Sequence, residues 1–286
     1  MTEYTTRTPD ICRGLSVRLT DPGSWVNVAV RLRAFVPKGR LVTTGDARPC
    51  SPRTCLRLLD GFGLTNDGYE VGLPLSGQRL LAYLALSGRP RRSAVSSALW
   101  PDADDRQASG SLRSALWRVS KVLPGGVCAT SQSLYLSRHL AVDVAELDDW
   151  VRRALTYGGD VDDELPSLVV CGNLLPGWYD DWVVSAREQL NQLRLHALDA
   201  LGKRLMRQCR YSAALNVALT AIRHDPLRES ANRLLISIQL AEGNTADATR
   251  HARRYSDTLC SQLGIGPSAE FCATLLGRRP HPASSA

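Results

Sequence analysis

Residues 108–123, ASGSLRSALWRVSKVL, carry three basic side chains, Arg113, Arg118 and Lys121, and no acid. Apolar residues recur there at every third or fourth position, the period of a helix with one buried stripe. On a helical wheel Ala108, Leu112, Ala115, Leu116, Val119 and Leu123 form that stripe. Opposite lie Gly110, Ser114, Trp117 and Lys121, with Arg113 and Arg118 on the flanks. A surface helix commonly sets acids three or four residues from its cations, and this face has none. It also exposes a tryptophan among cations, which is unfavourable without a partner. Unpaired cations suit a phosphate backbone, and arginine's planar fork suits the O6 and N7 of guanine. The chemistry therefore gives a base contact to Arg113 or Arg118, and phosphate contacts to Lys121, Arg91 and Arg92. Ser114 suits either. Trp117 has two placements: against deoxyribose or a thymine methyl, or folded back onto a preceding sheet.

The surrounding elements must hold this helix out. LRLLDGFGLTNDGYEVGLPLSG, from Leu56, has short apolar runs divided by Asp60-Gly61 and Asn66-Asp67-Gly68, which predicts a small antiparallel sheet. QRLLAYLALSG (78–88) predicts a helix stopped by Gly88-Arg89-Pro90, and RRSAVSSALWPD predicts a second, ended by Pro101. Asp104, with Gln107 three residues on, predicts the cap of the third helix. VCATSQSLYLS (127–137) then reads as a hairpin about Ser131-Gln132-Ser133. Sheet, three helices and hairpin, in that order, make a winged helix-turn-helix, whose third helix is the one that enters a DNA major groove.

Beyond Asp143 the pattern is helical. VDVAELDDWVRRAL (142–155) is followed by an acidic Gly158-Gly159 stretch and a long helix over 178–208. Two later stretches, starting at 210 and 244, are offset by 34 residues and align Ala214 with Ala248. That offset is the period of a tetratricopeptide helix pair. The expected fold is thus an α+β winged helix-turn-helix domain followed by an all-α tetratricopeptide-like domain. Its segments are an N-terminal extension of unknown order (1–54), a DNA-binding domain (55–140), a helical domain (143–277) and a disordered tail (278–286). Residues 143–277 are expected to fold alone. Within the extension, WVNVAVRLRAFV (25–36) is one plausible strand.

Composition narrows the function classes. Residues 1–142 hold 19 Lys and Arg against 10 Asp and Glu, while 143–286 hold 16 against 18, so the basic half is the half with the winged helix. Only Lys38, Lys121 and Lys203 among the basic residues are lysines, a bias that fits a GC-rich genome. The eight cysteines form no CxxC pair and read as buried thiols, and no histidine sits at zinc-finger spacing from a cysteine pair, so no metal is expected. GxxxxGK[ST], GxGxxG and GxSxG are absent, so neither enzymatic activity nor a cofactor is expected. Asp180-Asp181 lacks a neighbouring His and reads as a solvated helix start. No apolar run reaches a membrane span and the first residues carry no apolar leader core, which predicts a cytoplasmic chain without membrane contact.

LLAYLALSGRP (80–90), ALWPD (98–102), SLRSALWRVSKVL (111–123), LLPGWYDDWVVSAREQL (174–190) and LGIGPSAEF (263–271), taken in that order, resemble the Streptomyces antibiotic regulatory proteins. These are actinobacterial regulators that join a winged helix to a bacterial transcriptional activation domain. The resemblance implies an activator that binds direct repeats upstream of promoters in antibiotic gene clusters, as a homodimer on DNA, and recruits RNA polymerase there. It places the recognition helix on 106–123 and its groove-facing positions on Arg113, Ser114, Trp117, Arg118 and Lys121. Ser120 stands where the family commonly has arginine. The rival expectation is a protein-interaction adaptor, in which the helical domain works without sequence-specific DNA binding.

Overall fold

The computed structural model describes residues 54–156, 165–170 and 172–276. The strand expected over 25–36, the tail from 278, the acidic stretch over 160–164 and Cys12, Cys50 and Cys171 lie outside the described residues.

β1 (Thr54–Arg57), β2 (Gly63–Asn66) and β3 (Tyr69–Glu70) form the expected antiparallel meander. Asn66 pairs with Tyr69, leaving Asp67 (φ 51°) and Gly68 (φ 83°) as a two-residue turn with both φ values positive. That conformation matches the twist of the flanking strands and favours Asp-Gly. The helices α1 (Leu75–Ser87), α2 (Arg92–Leu99) and α3 (Asp105–Val122) follow, then a hairpin of β4 (Val127–Ala129) and β5 (Leu134–Leu136). Asp104 caps α3 as expected, its Oδ1 accepting from the Gln107 N–H at 2.8 Å.

A strand not foreseen, β6 (Leu140–Val142), pairs parallel to β1 and completes the order β3-β2-β1-β6, so the sheet is mixed and not purely antiparallel. It runs directly into α4 (Asp143–Leu155). A short α5 (Ser167–Val170) precedes the long α6 (Asp181–Arg207), α7 (Tyr211–His224), α8 (Glu229–Ala241), α9 (Thr245–Leu263) and α10 (Ala269–Leu275). The starts of α7 and α9 keep the 34-residue offset, with Ala214 and Ala248 both fully buried. Close helix packing is also enforced at Gly202 on α6, where a Cβ would stand 2.3 Å from Leu234 Cδ2 of α8.

The winged helix and the first helical layers share one core, which runs from Leu56 through Leu147 and Leu174 to Ile238. Asp143 is its hinge pin. Its Oδ2 accepts from the N–H groups of Leu58 and Leu59, both at 2.8 Å, while Oδ1 accepts from Val144 at 2.7 Å. Burial pushes this carboxyl above its ordinary range, against the pull of those donors and of Arg57. The segment before α6 closes the joint: Leu59 bridges Leu174, the Leu175 N–H donates to the Leu58 carbonyl, Phe62 stacks on Trp178 and Tyr83 meets Trp182 edge-on. Asp180 is therefore more than a solvated helix start, since it pairs with Arg79 of α1. This continuous core speaks against a helical part that folds alone. A second, smaller core of Ile236, Ala248, Ala252, Tyr255, Leu259 and Phe271 serves the last helices.

The cysteines depart from expectation. Cys209, Cys260 and Cys272 are exposed and Cys55 and Cys128 half-buried, so none of these five is a buried core thiol. The apolar periodicity around them belongs to their neighbours.

Candidate nucleic-acid interface

α3 buries the stripe read from its sequence. Ala108, Leu112, Ala115, Val119 and Leu123 are all buried, with Leu116 packed at the edge of the core. Burying that stripe fixes which residues face outward. Arg113, Ser114, Trp117, Arg118 and Lys121 all stand exposed on the opposite side, joined by Arg106 one turn before Gly110. Among the described residues, no carboxylate pairs with Arg106, Arg113, Arg118 or Lys121. The acids near the helix, Asp104 and Asp105, sit at its start, where they favour the positive end of the helix dipole.

Contacts within the face differ from residue to residue. Trp117 is 56% exposed, so it does not fold back onto the sheet. The Lys121 ammonium lies over its ring, 3.9 Å from the centroid. Arg118 reaches across to α1, where its Nη1 donates to the Ser76 Oγ at 3.2 Å. The Arg113 Nη2 lies 3.7 Å from the point where Gly110 would carry a Cβ. Ser114 and Ser120 both donate back into their own helix, to the carbonyls of Gly110 and Trp117.

Arg91 and Arg92 belong to a separate part of this surface. Arg91 is exposed and bridges Ser133 of the hairpin through its backbone, while the half-buried Arg92 donates its N–H to the Gln132 carbonyl. Arg89 joins them, its guanidinium 4.2 Å from the ring centre of Tyr135. The Arg89-Pro90-Arg91-Arg92 run is thus held along the wing. Ser76 and Arg89 went unread in the sequence because their partners lie on other elements. Arg106 was legible, since it stands seven residues before Arg113 on the same face.

The described residues hold no group of three or more His, Cys, Asp or Glu side chains able to take a metal ion. No described helix is long and apolar enough to cross a membrane.

A mixed sheet with a three-helix unit and wing, joined to a helical array, is the architecture of a winged helix followed by a helical domain. Comparison supports this for the fold: EmbR of Mycobacterium tuberculosis, solved in complex with a low-affinity phosphopeptide, superposes with a TM-score of 0.60 at 22% identity. That match covers 81% of this chain and 67% of the other. The profile of the bacterial transcriptional activator domain matches residues 138–274. Regulatory protein AfsR of Streptomyces coelicolor is 28% identical over 212 residues, which is 69% of this chain. The match spans only 21% of AfsR itself. The helical part thus matches the bacterial transcriptional activator domain, and the chain as a whole is similar to a Streptomyces regulatory protein that is several times the length of the matched region.

Proposed function

We propose that the chain is a sequence-specific DNA-binding transcriptional activator. Residues 55–140 form the DNA-binding unit and place α3 in the major groove. The tetratricopeptide-like helical part, 143–277, pairs two copies on the DNA and contacts RNA polymerase. The target is a set of promoter direct repeats in an antibiotic or other secondary-metabolite gene cluster, reached in the cytoplasm, and no catalysis is involved.

The observation that carries this reading is the outward face of α3, where four cations stand exposed without a carboxylate partner among the described residues. A helix with side chains is about 10–12 Å across and the major groove is about 12 Å wide, so such a face meets base edges at its front and phosphates at its flanks. The test is selection of the full chain against a randomised duplex pool, followed by band retardation with specific and scrambled competitors. Recovery of a repeated motif, competed only by itself, is the expected result. Retention of no duplex would transfer the function to protein contacts of the helical part.

A further inference from the structure

We propose that Ser76 positions Arg118 against a backbone phosphate, and that recognition of guanine falls to Arg113 above the bare backbone at Gly110. The proposal rests on reading α3 as the groove helix. It divides a face that sequence alone leaves undivided between Arg113 and Arg118.

The Arg118–Ser76 contact is the starting point. At 3.6 residues per turn, Arg118 and Arg113 lie on opposite flanks of the exposed face, each about 70° around α3 from its centre, so their contacts and not their angles distinguish them. The Arg118 side chain reaches across to a serine in the first turn of α1. Because α3 fills the groove width, a group held by a second helix stands at the rim, where the phosphates run. The pair is chemically suited to that place. The Ser76 oxygen accepts from Arg118 and keeps its own O–H proton to donate. Arg118 gives one donor to Ser76 and retains four for a phosphate.

Arg113 occupies the other half of the face. Recognition helices contact base edges chiefly through their N-terminal residues, and Arg113 precedes Arg118 by more than one turn. Its Nη2 hangs over Gly110, at ordinary van der Waals distance from the missing Cβ. Glycine within a helix is unfavourable relative to alanine, and here it lowers the wall between helix backbone and ligand. Neither terminal nitrogen of Arg113 meets a carboxylate among the described residues, so both remain for O6 and N7 of one guanine. Lys121, resting on the Trp117 ring, is a point charge with no fork and belongs with the phosphate contacts.

The experiment uses the full chain, the duplex it selects from a randomised pool and a scrambled duplex of the same composition, with Kd measured across salt concentrations. Arg118→Ala should weaken both duplexes by similar factors and lower the salt slope by about one counterion. Ser76→Ala should weaken both in the same manner, Ser76→Thr should restore binding, and the Ser76→Ala, Arg118→Ala double variant should bind no worse than Arg118→Ala. Arg113→Ala and Arg113→Lys should each reduce the ratio of specific to scrambled affinity by roughly 5- to 150-fold. The proposal is overturned if Arg118→Ala collapses that ratio while Arg113→Ala preserves it. It is equally overturned if Ser76→Ala and Arg118→Ala act additively. A wild-type chain that selects no duplex sinks the groove reading itself, a different result from either.

Discussion

α3 and α4 lie on either side of the wing and are built on one amphipathic plan, yet they treat charge and aromatic surface in opposite ways. In α4, Arg152 pairs with Asp148 at 3.1 Å and also with Asp149, Asp143 holds the Leu58 and Leu59 N–H groups, and Trp150 is only 3% exposed. In α3, none of the exposed cations meets a carboxylate among the described residues, and Trp117 is 56% exposed. A helix that serves the fold consumes its polar and aromatic groups internally. One that serves a partner leaves them outside, and the same residue types therefore predict different losses in the two helices.

The sharpest division is in stability. Trp150→Ala should cost about 3–5 kcal/mol of unfolding free energy, because it empties a large site in the shared core. Trp117→Ala should stay within about 0.5 kcal/mol, as surface changes do. Urea denaturation of both variants checks this, and equal losses would erase the distinction between the helices.

Next in size is duplex affinity. On the proposed division of the face, replacing Arg113, Arg118 and Lys121 together with alanine removes one base contact and two phosphate contacts. It should lower affinity by more than about 100-fold at moderate salt, with the thermal midpoint unchanged. Arg152→Ala with Arg153→Ala, removing cations from α4, should leave affinity within about twofold. A comparable loss from the α4 pair would mean that general basicity, and not the α3 face, drives binding.

A smaller effect tests charge buried for the fold alone. His224 of α7 donates its Nε2–H to the Val169 carbonyl at 3.0 Å and faces the buried Arg194 at 3.2 Å. Burial first, and the Arg194 guanidinium second, lower its pKa below the ordinary histidine value. The unfolded chain then takes the proton more readily, so stability is full above about pH 6.5 and falls as pH drops through that value. The loss for one such group is at most about 1.4 kcal/mol per pH unit. His224→Gln should reduce the difference between urea midpoints at pH 7.5 and 5.5, leaving the part due to His251, whose pKa burial also lowers. An unaltered difference would remove His224 from the acid response.

The two helices also differ in how fully their roles could be read in advance. The winged-helix order, the Asp104 cap and the α3 stripe were legible because local period and cap chemistry determine them. β6 escaped notice because its three residues carry no usable period and its pairing with β1 spans more than eighty positions. The joint was hidden for the same reason: Asp143, Trp178 and Trp182 reveal their work only beside Leu58, Phe62 and Tyr83. On the exposed face of α3 the cations were legible as a set, but their division was not. Ser76 is 42 residues from Arg118, and nothing in either segment announces the contact.

The smallest expected effect concerns Trp117 as a support for Lys121. An exposed ammonium over an indole face is worth about 0.5–1 kcal/mol, which restrains a side chain that otherwise loses rotamer freedom when it binds phosphate. Removing the ring frees Lys121 without deleting its charge. Trp117→Ala should therefore weaken duplex binding by about two- to fivefold, while a long-range electrostatic contribution to the salt slope remains. Trp117→Phe should fall between the two, since benzene rings hold cations less strongly than indole. Lys121→Ala in the Trp117→Ala background should cost less than in wild type if the two act together. Purely additive losses would instead make Trp117 an independent contact to sugar or a thymine methyl. The exposed ring would still belong to the binding face, but Lys121 would hold its phosphate without it.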